Sequence, residues 1–198
     1  MTTPPKDTRG RILLEAAMLF ADRGFDAPSV REICEAAEVS KPTLYYYFES
    51  KSGLITAVVN TLHNDFEHLI AELFDPTNAS IEGCIAGYTR LFDRIEEQGW
   101  TVRLWSRVPA LSLEEANCAA RERKAEAHFA AYLMAMPELE ASADVEAAVW
   151  LLLASFGPIA MHKQLEPIPL SNAILAERLV RQALGVTATH SSVTEDTP

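Results

Sequence analysis

Apolar residues recur along this chain at helical spacing, three or four apart, and no stretch alternates with the two-residue period of a half-buried strand. That feature excludes sandwiches and barrels and predicts an all-α protein of roughly nine to ten helices. Ile12, Ala16, Leu19 and Phe20 lie on one stripe of a first helix that ends at Gly24. Ser29 and Glu32 have the spacing of a capping box and open a short second helix, with Val30, Ile33 and Ala37 facing inward, that stops near Glu38-Val39. Ser40 is the expected N-cap of a third, running from Lys41 to about Tyr47. Its Pro42 sits in the first turn, where the missing N–H does no harm. Ser50 caps a long fourth helix to about Phe74, striped by Ile55, Val58, Leu62, Phe66, Leu69, Ile70 and Leu73. Asp75-Pro76-Thr77-Asn78 breaks the chain. Further helices are expected over 80–97, 101–110, 113–135, 143–164 and 170–184, separated in part by Pro137, Pro167 and Pro169.

With 198 residues, 48% of them apolar, the chain can bury a sizeable core. Its net charge of -11 is unevenly spread. Residues 1–51 hold seven Lys/Arg against eight Asp/Glu, and residues 52–198 hold ten against twenty. An acidic chain repels nucleic acid and acidic membranes at long range, so DNA binding requires basic groups gathered on one face of the first part. The longest apolar run, Ala147 to Met161, is shorter than the ~18 residues of a membrane span and carries a Gly157-Pro158 break. Met1 to Arg11 is polar, without the apolar stretch of a secretory signal. Cys34, Cys84 and Cys118 have neither metal nor redox spacing. A cytoplasmic protein with reduced thiols and no membrane partner is the expectation.

Two short helices joined by the four-residue turn Glu38-Val39-Ser40-Lys41, after a longer supporting helix, form a helix-turn-helix. In the third helix, Leu44 and Phe48 point to the core, and Tyr47, beside Phe48, reads as core with them. Lys41, Thr43, Tyr45 and Tyr46 then fall on other faces. An exposed aromatic and basic surface on so short a helix is costly unless something binds there. Its hydroxyl and ammonium donors match phosphate oxygens and base edges.

From Ile12 to Leu54 the chain resembles the DNA-binding domain of the TetR family of bacterial transcription regulators. The matching elements are Ala16-Ala17, Leu19-Phe20, Gly24-Phe25, Val30, Ile33, Ala37, Val39-Ser40, Leu44-Tyr45, Tyr47-Phe48, Lys51 and Leu54. Two positions depart. Cys34 replaces a small Ala, and Glu38 occupies a turn position that is often Gly, at a cost if its φ is positive and with a negative charge near Lys41. The resemblance implies that Lys41, Pro42 and Thr43 face base edges in the major groove. Tyr45 and Tyr46 would contact phosphates or adjacent bases, Lys51 would clamp a phosphate, and Ser29 and Arg31 would meet the backbone and a base edge. Arg9 and Arg11 would reach flanking phosphates or the minor groove, with Glu15, Asp22 and Glu35 turned away. The residues alone leave alternatives: Arg31 pairing with Glu35, and Arg9 and Arg11 merely solvated. The expected organisation is a helix-turn-helix domain over 1–51, a larger helical ligand-binding and dimerisation domain over 52–186, and a disordered Thr/Ser/acidic tail over 187–198.

The second part carries more large apolar groups than a simple bundle needs: Trp100, Trp105, Phe129, Tyr132, Trp150, Phe156 and Met161. The resemblance implies a small-molecule cavity between helices four to eight, with Phe66, Trp105, Phe129, Tyr132, Phe156 and His162 as candidate ligand residues. Gly157-Pro158 would open space there or only shape the helix. His63 with Glu67 and His68 with Glu72 read as solvated pairs; no metal and no cofactor is expected. No nucleophile–base pair, phosphate loop or paired carboxylates appear, so an enzyme is not expected. Two recognition helices must reach successive major grooves ~34–36 Å apart, which calls for a homodimer. Val149, Trp150, Leu152 and Leu153 make the helix near 143–164 apolar on every side, so a partner subunit is expected to cover it together with Ile174 and Leu175. The expected function is a ligand-responsive regulator, a repressor by the family's commoner mode, that binds a palindromic double-stranded operator as a homodimer. A small apolar or amphipathic effector would release it. The alternative is a small-molecule-binding protein of the same fold that does not act through DNA.

Overall fold

A computed structural model describes residues 7–108, 119–137, 139, 144–166 and 168–186. Among these residues there are nine α-helices, one 3-10 turn at Pro76–Asn78 and no strand. The helices are α1 (Thr8–Arg23), α2 (Val30–Ala36), α3 (Lys41–Phe48), α4 (Lys51–Leu73), α5 (Ile81–Glu97), α6 (Gly99–Trp105), α7 (Ala119–Met134), α8 (Val145–Leu165) and α9 (Asn172–Leu184). The expected helix over 101–110 is shorter and starts earlier, as α6. The first residues of the one expected over 113–135, Cys118, Pro167 and the tail from 187 lie outside the described residues.

Short polar side chains start these helices. Ser29, Ser40, Ser50, Ser80 and Ser171 each accept from a backbone N–H three residues on, and Asp144 does the same for α8. At Ser29 the capping box is complete, because Glu32 accepts the Ser29 N–H in return at 2.8 Å. Gly53, in the first turn of α4, lies so close to the Phe48 carbonyl that a β-carbon would collide with it. That close approach sets the tight junction from α3 into α4.

Two apolar cores result. The first joins Ile12, Phe20, Ile33, Leu44 and Phe48 to Leu54, Val58 and Leu62 of α4, and also takes in Leu104 and Val108. The second gathers Phe74, Tyr88, Phe92, Phe129 and Tyr132 with Leu152, Ala176 and Val180. Helix α4 therefore serves both cores, its first half in one and Ile70 in the other. Helix α6 packs along α1 and is pinned there. Arg103 bridges Asp22 at 2.9 Å, and Arg107 donates to the carbonyls of Ala21 and Asp22 at 2.9 and 3.0 Å. Cations at the C-terminal end of α1 also complement its dipole.

Helix α8 continues through Pro158 as one 21-residue helix, close to the 143–164 expected from the sequence. By length and composition it could cross a membrane. Ala148, Val149, Leu152 and Ala160, however, are buried in the second core, and the helix packs on α5, α6, α7 and α9.

Candidate functional site

Helices α2 and α3 meet through the turn at Glu38, whose φ of 51° is left-handed and explains why glycine suits the position. Leu44 and Phe48 anchor α3 in the first core, which turns Lys41, Pro42, Tyr45 and Tyr46 outward. Tyr46 is 82% exposed and Tyr45 44%. Tyr47, expected in the core, is 38% exposed and instead joins a surface aromatic row. Its ring lies 5.1 Å from Tyr46 and 6.2 Å from Phe48. The reason is the helical period: burying residues four apart leaves their neighbour on the flank. Thr43 is half-buried, and its hydroxyl bonds the Ser40 hydroxyl at 2.8 Å.

The basic groups are less free than expected. Arg11 donates to the Ala37 carbonyl at 2.9 Å, which ties α1 to the helix-turn-helix turn rather than leaving it to reach outward. Arg9 sits 5.3 Å over the Phe48 ring. Arg31 pairs with Glu35 at 2.7 Å, so Glu35 is not turned away from the basic face. Both side chains are largely exposed, and such a pair exchanges partners at little cost. Lys51 donates to the Asp26 carbonyl at 2.7 Å, a contact that orients the ammonium without neutralising it. Lys41 has no ion pair among the described residues. Asp22, drawn to Arg103, does face away. Ser29 is spent on its cap. The Arg23 guanidinium, with the Ser29 backbone N–H, holds the Glu32 carboxyl down at about 2.

A cavity of about 540 Å³ lies between α4, α6, α7 and α8, lined by His63, Phe66, Trp105, Trp150, Phe156 and Met161 among others. Of the six candidate ligand residues, Phe66, Trp105 and Phe156 are in its wall. Phe129 and Tyr132 are not. Phe129 packs 4.8 Å from Phe74, and the Tyr132 hydroxyl donates to the Ser80 carbonyl at 3.1 Å, which places both in the closed core. His162 is exposed and lines neither described cavity, although Ala154, Gly157, Pro158 and Met161 of the same helix line the first. Pro158 cannot donate the helical bond to residue 154, and this stretch of α8 opens onto the cavity. A second cavity of about 520 Å³ reaches from Phe66, Trp105 and Phe156 to Trp100 and to Gly10, Leu13 and Ala17 of α1.

His63 overturns its solvated reading. It is 3% exposed, with its ring 4.6 Å from Trp105. A histidine on the stripe side of α4, one residue past Leu62, was the available signal. On α8, Val149 and Leu152 face inward, and Leu153 is half-buried in the cavity wall, so they are not outward-facing residues. Trp150 and Leu151 are each 57% exposed. On α9, Ile174 is exposed and Leu175 half-buried.

Residues 12–58 match the profile described as "Bacterial regulatory proteins, tetR family". The HTH-type transcriptional activator FasR of Mycolicibacterium smegmatis is 33% identical over 101 residues, 51% of this chain and 46% of FasR. The match thus spans about half the length of such curated relatives. Among solved structures, a TetR-like transcriptional regulator from Rhodococcus sp. RHA1 superposes with a TM-score of 0.72 at 22% identity, covering 93% of this chain and all of that one. FadR from Bacillus subtilis, solved with stearoyl-CoA, gives 0.72 at 14% identity over 90% of this chain and 98% of its own. The stretch that forms α1–α3 and the start of α4 is thus similar to the tetR family of bacterial regulatory proteins, and nearly the whole chain shares the all-helical architecture of these solved structures.

Proposed function

We propose that the chain is a ligand-responsive transcriptional regulator that binds a palindromic operator as a homodimer, acts as a repressor, and is released by a small apolar or amphipathic effector. The observation that carries the reading is the outward face of α3, where Lys41, Tyr45 and Tyr46 stand exposed on a helix anchored by Leu44 and Phe48. Lys41, Pro42 and Thr43 read base edges. Tyr45, Tyr46 and Lys51 hold phosphates, and Arg31 exchanges Glu35 for DNA. The apolar cavity supports the effector. The exposed Trp150, Leu151 and Ile174 support a partner subunit over α8 and α9, and the solved FadR complex with stearoyl-CoA supports an apolar or amphipathic ligand class.

The test is a gel shift at stated salt against DNA upstream of the chain's own gene, beside sedimentation equilibrium. Operator binding by a dimer is expected. Leu151→Glu, outside both cavities, is expected to give monomers that hold each half-site alone and bind far more weakly. A monomeric unaltered protein at micromolar concentration overturns the paired-half-site reading.

A further inference from the structure

The wall of the first cavity is almost wholly apolar; its polar groups are those of His63, Ser106 and Glu126 and the indole N–H donors of Trp105 and Trp150. Of these only His63 is buried. Its Nδ1 lies 2.8 Å from the Val59 carbonyl oxygen, one helical turn back on α4. A carbonyl oxygen only accepts, so Nδ1 carries the proton. In the neutral ring this leaves Nε2, on the far side from that carbonyl, as a bare lone pair. It has no hydrogen-bond partner among the described residues. Trp105 lies edge-on against the ring, is itself half-buried and lines both cavities. The indole thus packs on the imidazole while bordering unfilled volume.

We propose that His63 Nε2 is the polar anchor of this cavity, and that the effector class is an apolar molecule presenting one hydroxyl donor, a phenol or an alcohol. The inference rests on reading this cavity as the effector site. A buried acceptor without a protein donor is unfavourable, and a ligand hydroxyl satisfies it. A hydrocarbon leaves it unsatisfied, and an ether sets lone pair against lone pair. A carboxylate brings negative charge toward the same lone pair and into a wall that already holds Glu126. Phe66, Phe156 and Met161 supply the apolar surface for the rest of the molecule, and exclusion of water by that surface strengthens the one hydrogen bond.

The experiment follows quenching of tryptophan fluorescence in the full chain by three probes: para-octylphenol, its methyl ether para-octylanisole, and decanoic acid. The phenol is expected to bind about tenfold tighter than the ether, the worth of one satisfied buried hydrogen bond. In His63→Leu the two affinities are expected to converge, the phenol losing its advantage while the ether keeps its affinity. Equal binding of phenol and ether by the unaltered protein overturns the proposal, with no variant needing to fold. So do tighter binding of decanoic acid than of the phenol, a phenol preference that survives in His63→Leu, and failure of all three probes to bind. Operator binding is measured separately and without probe, so failure of the cavity chemistry leaves the DNA reading standing, and the reverse.

Discussion

Around α1–α3 the large core side chains Ile12, Phe20, Ile33 and Leu44 are completely buried, whereas α8 carries Trp150 and Leu151 more than half exposed and borders a cavity of about 540 Å³. The helix-turn-helix end, which we propose reads DNA, is held by local devices, with Ser29, Ser40 and Ser50 capping three successive helices and Arg11 clasping the turn. The other end is held by a long-range aromatic cluster and is left partly unfilled, with the second cavity running from there back to the flank of α1 at Gly10, Leu13 and Ala17. A filled core resists deformation, while unfilled volume is where a ligand can do work. Helix α4 and the pinned α6 contact both cores and so form the physical connection between the two ends.

The strongest way to break this comparison is at the filled end. Leu44→Ala removes a fully buried side chain and is expected to cost about 2–5 kcal/mol, read by denaturant unfolding. Operator binding should be lost while probe binding in the cavity persists; loss of both together would mean the two ends are one cooperative unit.

A smaller effect sharpens the chemistry of the reading face. Lys41→Ala and Thr43→Ala should each weaken operator binding by about 1–3 kcal/mol where a base contact is lost, with circular dichroism and dimerisation unchanged. Full affinity in both would remove α3 from base reading. Lys51→Ala should act differently, weakening operator and random DNA alike and reducing the salt slope by about one ion per subunit. Its carbonyl contact to Asp26 makes a loss of a few tenths of a kcal/mol in stability acceptable, but not an unfolding transition.

The smallest effect is a pH dependence. Glu32 is held at about 2 by Arg23 and Ser29, against an ordinary 4.5. A depressed carboxyl favours the folded state fully above its ordinary value, and that contribution is lost as pH falls from 4.5 toward 2. Glu96, lowered by its bond to Lys163, adds a loss of the same sign at the other end, while Asp65, raised by burial, opposes it. Glu32→Gln should therefore flatten the fall of the melting temperature on acidification. An unchanged acid profile would show the ion pair with Arg23 to be without consequence for stability.

Much of the reading end was legible in the residues. A cap three residues before its N–H partner, a proline in a first turn and a glycine after a last one act within a few positions, so Ser29, Ser40, Pro42 and Gly24 announce their helices. The side-chain partners of that same end were not legible. Lys51 meets a carbonyl 25 residues away and Arg11 one 26 residues away, and nothing local encodes either. Tyr47 is exposed where a core position is expected, because adjacency to Phe48 along the chain says nothing about the flank it occupies.

The sequence by itself determined the all-helical class, the helix-turn-helix with its anchored third helix, and the uneven charge, because periodicity, capping and composition are local or additive. Which aromatics line a cavity and which close a core was decided only by tertiary packing. Phe129 and Tyr132 look no different from Phe66 and Phe156 until Phe74 and Ser80 arrive against them from across the fold. The same holds for His63, a helix residue between ordinary neighbours until α6 laid Trp105 over its ring. A side chain's chemistry is written at its own position, but the dielectric and the partners that make it functional belong to residues distant in the chain.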